Sequence, residues 1–182
     1  MRVETLRRVV MSTVVGLLLM ASLLTFGGCD RAEKLGEWAW GDALRARVTV
    51  MHRLPDILVL AKDGESFLRV SPEEEGNELV AMYVEVVNDE TSKILLSLDS
   101  EAAELDEREA TSRAFYPIDP FTRGTLTEEF REGETYYAPI LWGPIELDKK
   151  YQIAGWMIFE VPEGLRFRRL VWRESDTIFI EF

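Results

Sequence analysis

Few residues of this 182-residue chain could do chemistry, and the most versatile occur once each. Cys29 is the only thiol and His52 the only imidazole. A zinc centre needs several such ligands, a cysteine nucleophile needs a histidine in reach, and a disulfide framework needs pairs. One of each rules out the usual zinc sets and a disulfide framework, and leaves a cysteine–histidine pair dependent on Cys29, whose sequence setting gives it another role. A serine–histidine–carboxylate triad would depend on His52 alone, and no nucleophile-elbow sequence accompanies it. The carboxylates are abundant, with Glu73, Glu74, Glu75 and Glu78 in one cluster and a second from Asp99 to Glu109. Calcium needs several oxygens converging from one loop, but no Asp-x-Asp-x-Asp-Gly spacing is present, so a solvated acidic surface is expected. A chain this acidic also contains carboxylate pairs at glycosidase spacing by chance, and these carry no weight. The reading is a non-enzymatic protein without metal or cofactor.

The chemistry that remains belongs to Cys29, and its neighbours say what it is. Arg2, Arg7 and Arg8 are followed by an apolar run from Val9 to Phe26, then by Gly27 and Gly28 directly before the cysteine. A basic start, an apolar stretch and small residues make a secretory signal. The ending resembles the lipobox of bacterial lipoproteins, with Phe26 where leucine is usual. That resemblance implies that residues 1–28 are removed and that Cys29 is diacylated as the first mature residue. The other reading is an uncleaved membrane anchor, since an apolar run of about 18 residues approaches bilayer-spanning length. Ser12, Thr13, Gly16, Ser22 and Thr25 dilute that run. Both readings put residues 29–182 outside the cytoplasm, because the arginines precede the apolar stretch.

Residues 29–36 form a short tether. Even fully extended, it reaches only about 25 Å at roughly 3.3 Å per residue, so the domain sits close to its membrane. Asp30 after the lipidated cysteine resembles the signal that retains lipoproteins in the inner membrane of enterobacteria-like cells. Residues 37–182 are long enough for one domain with a single core. Without the leader, 18 basic residues face 32 acidic ones, a net of −14. This excludes nucleic acid and electrostatic adhesion to anionic headgroups. The expected partners are the membrane, through the lipid on Cys29, and a protein of the cell envelope.

The apolar pattern has the two-residue period of strands. Leu44, Ala46, Val48 and Val50 mark one strand, ended by Pro55 with His52 after it. Ile57–Leu60 and Phe67–Val70 flank Asp63-Gly64, a hairpin signal. Leu79–Val87 puts Val80, Met82, Val84 and Val86 on one face, and Ile94, Leu96 and Leu98 continue the alternation. Glu101–Ala110 reads as a short acidic helix or a loop, and the span to Gly133 as a connection with one helical turn at Leu126–Phe130. Tyr136–Trp142, broken by Pro139, reads as an edge strand. Ile153–Val161, Leu165–Trp172 and Thr177–Phe182 read as a three-stranded meander. About eight strands with almost no amphipathic helix predict an all-β antiparallel sandwich.

Two motifs carry a further resemblance: LVAMYVEVVN, a Val-rich strand ending in Asn, and Gly155, Phe159, Val161 and Pro162 in a Gly-x-x-x-Phe-x-Val-Pro strand. The chain resembles bacterial lipoproteins with a telokin-like, immunoglobulin-like domain of unknown function. It departs from them at Leu147-Asp148-Lys149-Lys150, where a Pro-Gly-Glu-like turn is usual, and in a longer segment from Tyr116 to Pro144. The resemblance implies an extracytoplasmic immunoglobulin-like binding or scaffolding module and supplies no catalytic residues. A calcium or small-ligand sensor using the acidic loops is the alternative, and a hydrolase using His52 a third.

Five tryptophans are many for such a domain. If Ile153, Met157, Phe159 and Val161 face the core, Trp156 and Ile158 face the other way. The long middle segment is expected to cover them; left uncovered, they would form a partner-binding surface. Trp38 and Trp40 fall near the lipid, where indoles prefer the interface, although packing on the opening strand is the expected role.

Overall fold

The computed structural model describes residues 35–108 and 113–182. The leader, Cys29, Glu109 and Ala110 lie outside the described residues. Among the described residues, fourteen strands run in order: β1 (Ala39–Trp40), β2 (Leu44–Leu54), β3 (Ile57–Leu60), β4 (Phe67–Val70), β5 (Asn77–Asn88), β6 (Lys93–Leu98), β7 (Ala103–Glu107), β8 (Ala114–Phe115), β9 (Thr125–Thr127), β10 (Tyr136–Tyr137), β11 (Gly143–Asp148), β12 (Gln152–Pro162), β13 (Phe167–Trp172) and β14 (Ile178–Glu181). One short helix, α1 (Pro120–Arg123), lies between β8 and β9. The protein is an all-β sandwich.

The sheet β1-β2-β5-β12 is central, and β5 is its spine, paired antiparallel with β2 and β12 along its whole length. Residues on one strand face alternate, so LVAMYVEVV, apolar almost throughout, must bury both sides. Val80, Met82, Val84 and Val86 enter a large core with Met157, Phe159 and Val161 of β12. The sheets β14-β13-β7-β8 and β11-β6 close that core with Trp172, Leu170, Ile178, Leu105, Leu96 and Leu98. Leu79 and Ala81 point the other way, with Ile158, into a second core. This one is closed by Ile57, Val59, Val70 and Tyr137 of the outer sheet β10-β3-β4-β9. The predicted inward face of β12 is therefore the observed one.

Several expectations need correction. Register shifts between Val48 and Val50, a bulge that breaks the alternation, so Val50 is only partly buried and His52 lies inside β2 opposite Ala81. Ala103 and Leu105 are buried while Glu104 and Asp106 pair with Arg173 and Arg169, so this stretch is strand β7 rather than helix or loop. The helical turn is α1, started by Asp119, whose carboxylate caps Phe121 N at 2.9 Å, with Pro120 in the first turn. Leu126 is in β9 instead. Gly143–Asp148 pairs with β6 as a full strand. The final strands are not a meander: β13 and β14 form a hairpin, but β12 pairs with β5 and β13 with β7, so the chain changes sheet at Pro162-Glu163-Gly164.

The middle segment covers the otherwise open edge of β12. Pro117 bridges to Phe159 and Ile140 to Trp156, with Ile118 N donating to Ile158 O at 2.8 Å and Leu141 N to Trp156 O at 2.9 Å. An edge occupied in this way cannot template another strand. Asn88, fully buried at the end of β5, donates to Thr91 O at 2.7 Å and Leu147 O at 2.9 Å and accepts from Thr91 N at 3.0 Å. Its amide ties the β5–β6 turn to β11.

Candidate functional site

Ile158 is 1% exposed inside the second core, and Trp156 is half-buried at its rim. The indole of Trp156 meets three rings: Tyr137 at 4.8 Å between centroids, Tyr83 at 5.1 Å and His52 at 5.4 Å. His52 Nδ1 lies 2.9 Å from the Tyr137 hydroxyl, so one proton is shared between phenol and imidazole. Burial pushes the Tyr137 phenol up from its ordinary value, which keeps the hydroxyl protonated and able to donate. These four residues seal the rim of the second core.

The acidic clusters disperse into separate contacts. Glu73 pairs with Arg123 at 2.9 Å, Glu78 with Arg53 at 2.6 Å, and Asp99 accepts from Glu101 N at 2.7 Å. Among the described residues, no group of three histidine, cysteine or acidic side chains is placed to hold a metal. Glu160 gathers four hydrogen bonds: from the backbone N–H groups of Glu73 and Glu74 at 3.0 and 2.9 Å, from Asn77 at 2.9 Å, and from Arg123. Burial pushes its carboxyl up, but these donors outweigh burial and hold it at about 2. It staples the loop after β4 to β12.

The sheet that covers Trp156 has an outer face of its own. Leu60 and Phe67 are opposite one another, as are Leu58 and Arg69, and Tyr136 lies beside Leu58. Phe67 meets Phe130 edge-on at 4.8 Å and Tyr136 at 5.4 Å. Phe130 and Tyr136 are each 53% exposed. The loop between them is held by Arg69, which donates to Asp56 at 2.8 Å, to both Glu134 oxygens at 2.6 and 2.9 Å, and to Glu129 O at 2.9 Å. Arg131 closes the network on Asp56 at 2.9 Å. Hydrogen bonds from Arg69 and from Arg131 N draw the Glu134 carboxyl down to about 2. The same loop walls a hollow of about 320 Å³ against Pro55, Ile57 and Leu58.

This aromatic face escapes a reading by period. Phe67 and Tyr136 alternate with ordinary core residues, and the remaining signal is Phe130, a lone ring among Glu128, Glu129, Arg131 and Glu132. A large apolar side chain inside a charged loop needs either a neighbour or a partner. Here it has both a neighbour, Phe67, and an exposed side.

Neither a protein-family model nor a curated protein matches the chain. Two solved structures do. An uncharacterised β-sandwich protein from Clostridium difficile 630 is 11% identical with a TM-score of 0.45, over 81% of this chain and 91% of that one. A candidate lipoprotein (ycdA) from Bacillus subtilis subsp. subtilis str. 168 is 11% identical with a TM-score of 0.43, over 79% of this chain and 38% of that one. Among the described residues, no helix is long and apolar enough to cross a membrane.

Proposed function

We propose that the chain is a lipid-anchored, extracytoplasmic and non-catalytic binding module of the cell envelope, of the immunoglobulin-like type, which docks a protein partner on the Phe67–Phe130–Tyr136 face. Cys29 carries the lipid. The observation behind the docking face is an exposed aromatic cluster whose loop is held by the Arg69 network, so the rings are presented already ordered and binding costs less entropy. The occupant follows from charge. Glu128, Glu129 and Glu132 are exposed around Phe130, and the mature chain is acidic throughout, so the fitting surface is a basic protein segment with an apolar side chain at its centre. The two strands of the lipoprotein resemblance, β5 and β12, pair with one another in the central sheet, β12 at its edge.

The test places a photo-crosslinking phenylalanine at position 130 in cells, with position 75 as an exposed acidic control. A product specific to position 130 is expected. The purified captured protein should bind the wild-type chain at least about tenfold more tightly than Phe130→Ser, with Tyr136→Ser weakened similarly. Equal crosslinking from both positions, or affinity unchanged in both variants, overturns the docking face.

A further inference from the structure

The Asn88 end of the central sheet carries a second, unrelated set of exposed apolar side chains. That end is built from four turns, residues 41–43, 89–92, 149–151 and 173–177. They are bound together: Asp176 accepts from Ala43 N and Leu44 N at 2.9 and 3.0 Å, Asp89 N donates to Ala43 O at 3.0 Å, Lys150 N to Asn88 O at 2.6 Å and Lys149 N to Ser92 O at 3.0 Å. Burial pushes the Asp176 carboxyl up, while the backbone donors of Ala43 and Leu44 more than compensate and lower it, so it stays a charged acceptor. On this rigid end stand Tyr151 at 68%, Trp40 at 65% and Leu95 at 64% exposed. Three of the chain's five lysines surround them, Lys93, Lys149 and Lys150, each in an ion pair with Glu146, Glu90 or Asp89.

Tether length says what covers this end. Gly36 N donates to Val48 O at 2.7 Å, which pins the chain to β2 at the level of Val84 in the central sheet. Seven residues separate Cys29 from Gly36, a reach of about 23 Å at roughly 3.3 Å per residue. From Val84 the end at Asn88 is four residues away, about 13 Å, and the end at Asn77 is seven residues away, about 23 Å. A bilayer at the Asn77 end would need the whole tether at full extension; at the Asn88 end about 10 Å remains. Exposed carboxylates stand at both ends, Glu73, Glu74, Glu75 and Glu163 at one and Asp42, Glu90 and Asp148 at the other, so tether reach and not charge separates them.

We infer that the end bearing Trp40, Leu95 and Tyr151 seats on the lipid surface, with the indole and phenol at the headgroup level and the lysine stems reaching past them to water. Tryptophan and tyrosine favour that depth, and lysine there buries its stem while keeping its charge solvated. The lipid on Cys29 supplies the binding and the seat supplies orientation. The acidic chain makes the seat independent of anionic lipid. The inference rests on the proposed anchoring through Cys29. It also leaves the Phe67–Phe130–Tyr136 sheet, which packs on the Leu79–Ala81 half of β5, on the side away from the bilayer.

The experiment uses the full lipidated protein in phosphatidylcholine vesicles. Leu95→Cys, Tyr151→Cys and Glu75→Cys each provide a thiol for a nitroxide, since Cys29 is occupied by lipid. Intact mass is recorded on the same samples. Labels at 95 and 151 should show an oxygen-to-nickel collision ratio several-fold above that at 75. Equal ratios at all three positions with the diacyl adduct present overturn the seat and leave the anchor standing. No adduct on Cys29 overturns the anchor and the seat with it.

Discussion

Gly155 turns its bare α-carbon toward the carbonyl of Pro139: a Cβ built there would lie 2.7 Å from that oxygen and 3.1 Å from the Leu141 side chain. The next residue, Trp156, donates its N–H to the same carbonyl at 2.8 Å. The glycine of the Gly-x-x-x-Phe-x-Val-Pro motif is thus where the middle segment comes close enough to β12 to pair with it.

Gly155→Ala is expected to force the two backbones apart and destabilise the protein by about 1–3 kcal/mol, the usual range for overpacking. Urea unfolding measures it. An unchanged midpoint would mean that the middle segment can move away without cost.

Phe159 is fully buried in the large core, whereas Trp156 is half-buried on the opposite face of the same strand against three rings. Phe159→Ala should cost about 3–5 kcal/mol and Trp156→Ala about 2 kcal/mol, because a rim residue leaves less of a cavity. The order of the two midpoints is the informative result. A larger loss at Trp156 would mean the strand faces are reversed.

How far the sequence discloses this arrangement depends on period. Where one face is buried and the other wet, as in β6 with its alternating Ile94, Leu96 and Leu98, both strand and face are legible. β5 is legible as a strand, but what covers its second face appears only once β3 and β4 are folded over Leu79 and Ala81. β7 is hidden because its outward residues are acidic and look like a loop until Arg169 and Arg173 are placed beside them. The bulge at Thr49 leaves no mark in composition, and it is what brings His52 to Tyr137 and Trp156. Pairing partners distant in sequence, such as β12 with β5, are beyond what local alternation can specify.

Acid should weaken the fold in a defined window. The Glu160 carboxyl falls from its ordinary 4.5 to about 2, and Glu134 and Asp63 also fall to about 2, Asp63 through the Ser66 hydroxyl and the backbone N–H groups of Ser66 and Glu65. A carboxyl depressed in the folded state stabilises above its unfolded value and loses that contribution as pH falls through the folded value. Stability should therefore hold above about pH 5 and decline toward pH 2. Glu160→Gln should be less stable than wild type at pH 7, by about 1–2 kcal/mol once solvent screening is allowed for, with the gap closing near pH 2. A gap independent of pH would assign Glu160 a packing role only.

The anchored location and the lipid seat both require that the chain after Gly28 be held at a membrane by lipid on Cys29. Intact-mass analysis of the protein extracted from membranes tests this most directly. The account predicts a chain beginning at Cys29 with a diacylglyceryl adduct, and a Cys29→Ser protein that keeps its leader and carries no lipid. A full-length chain without lipid in the wild type, or a Cys29→Ser protein still processed and lipidated, would contradict it.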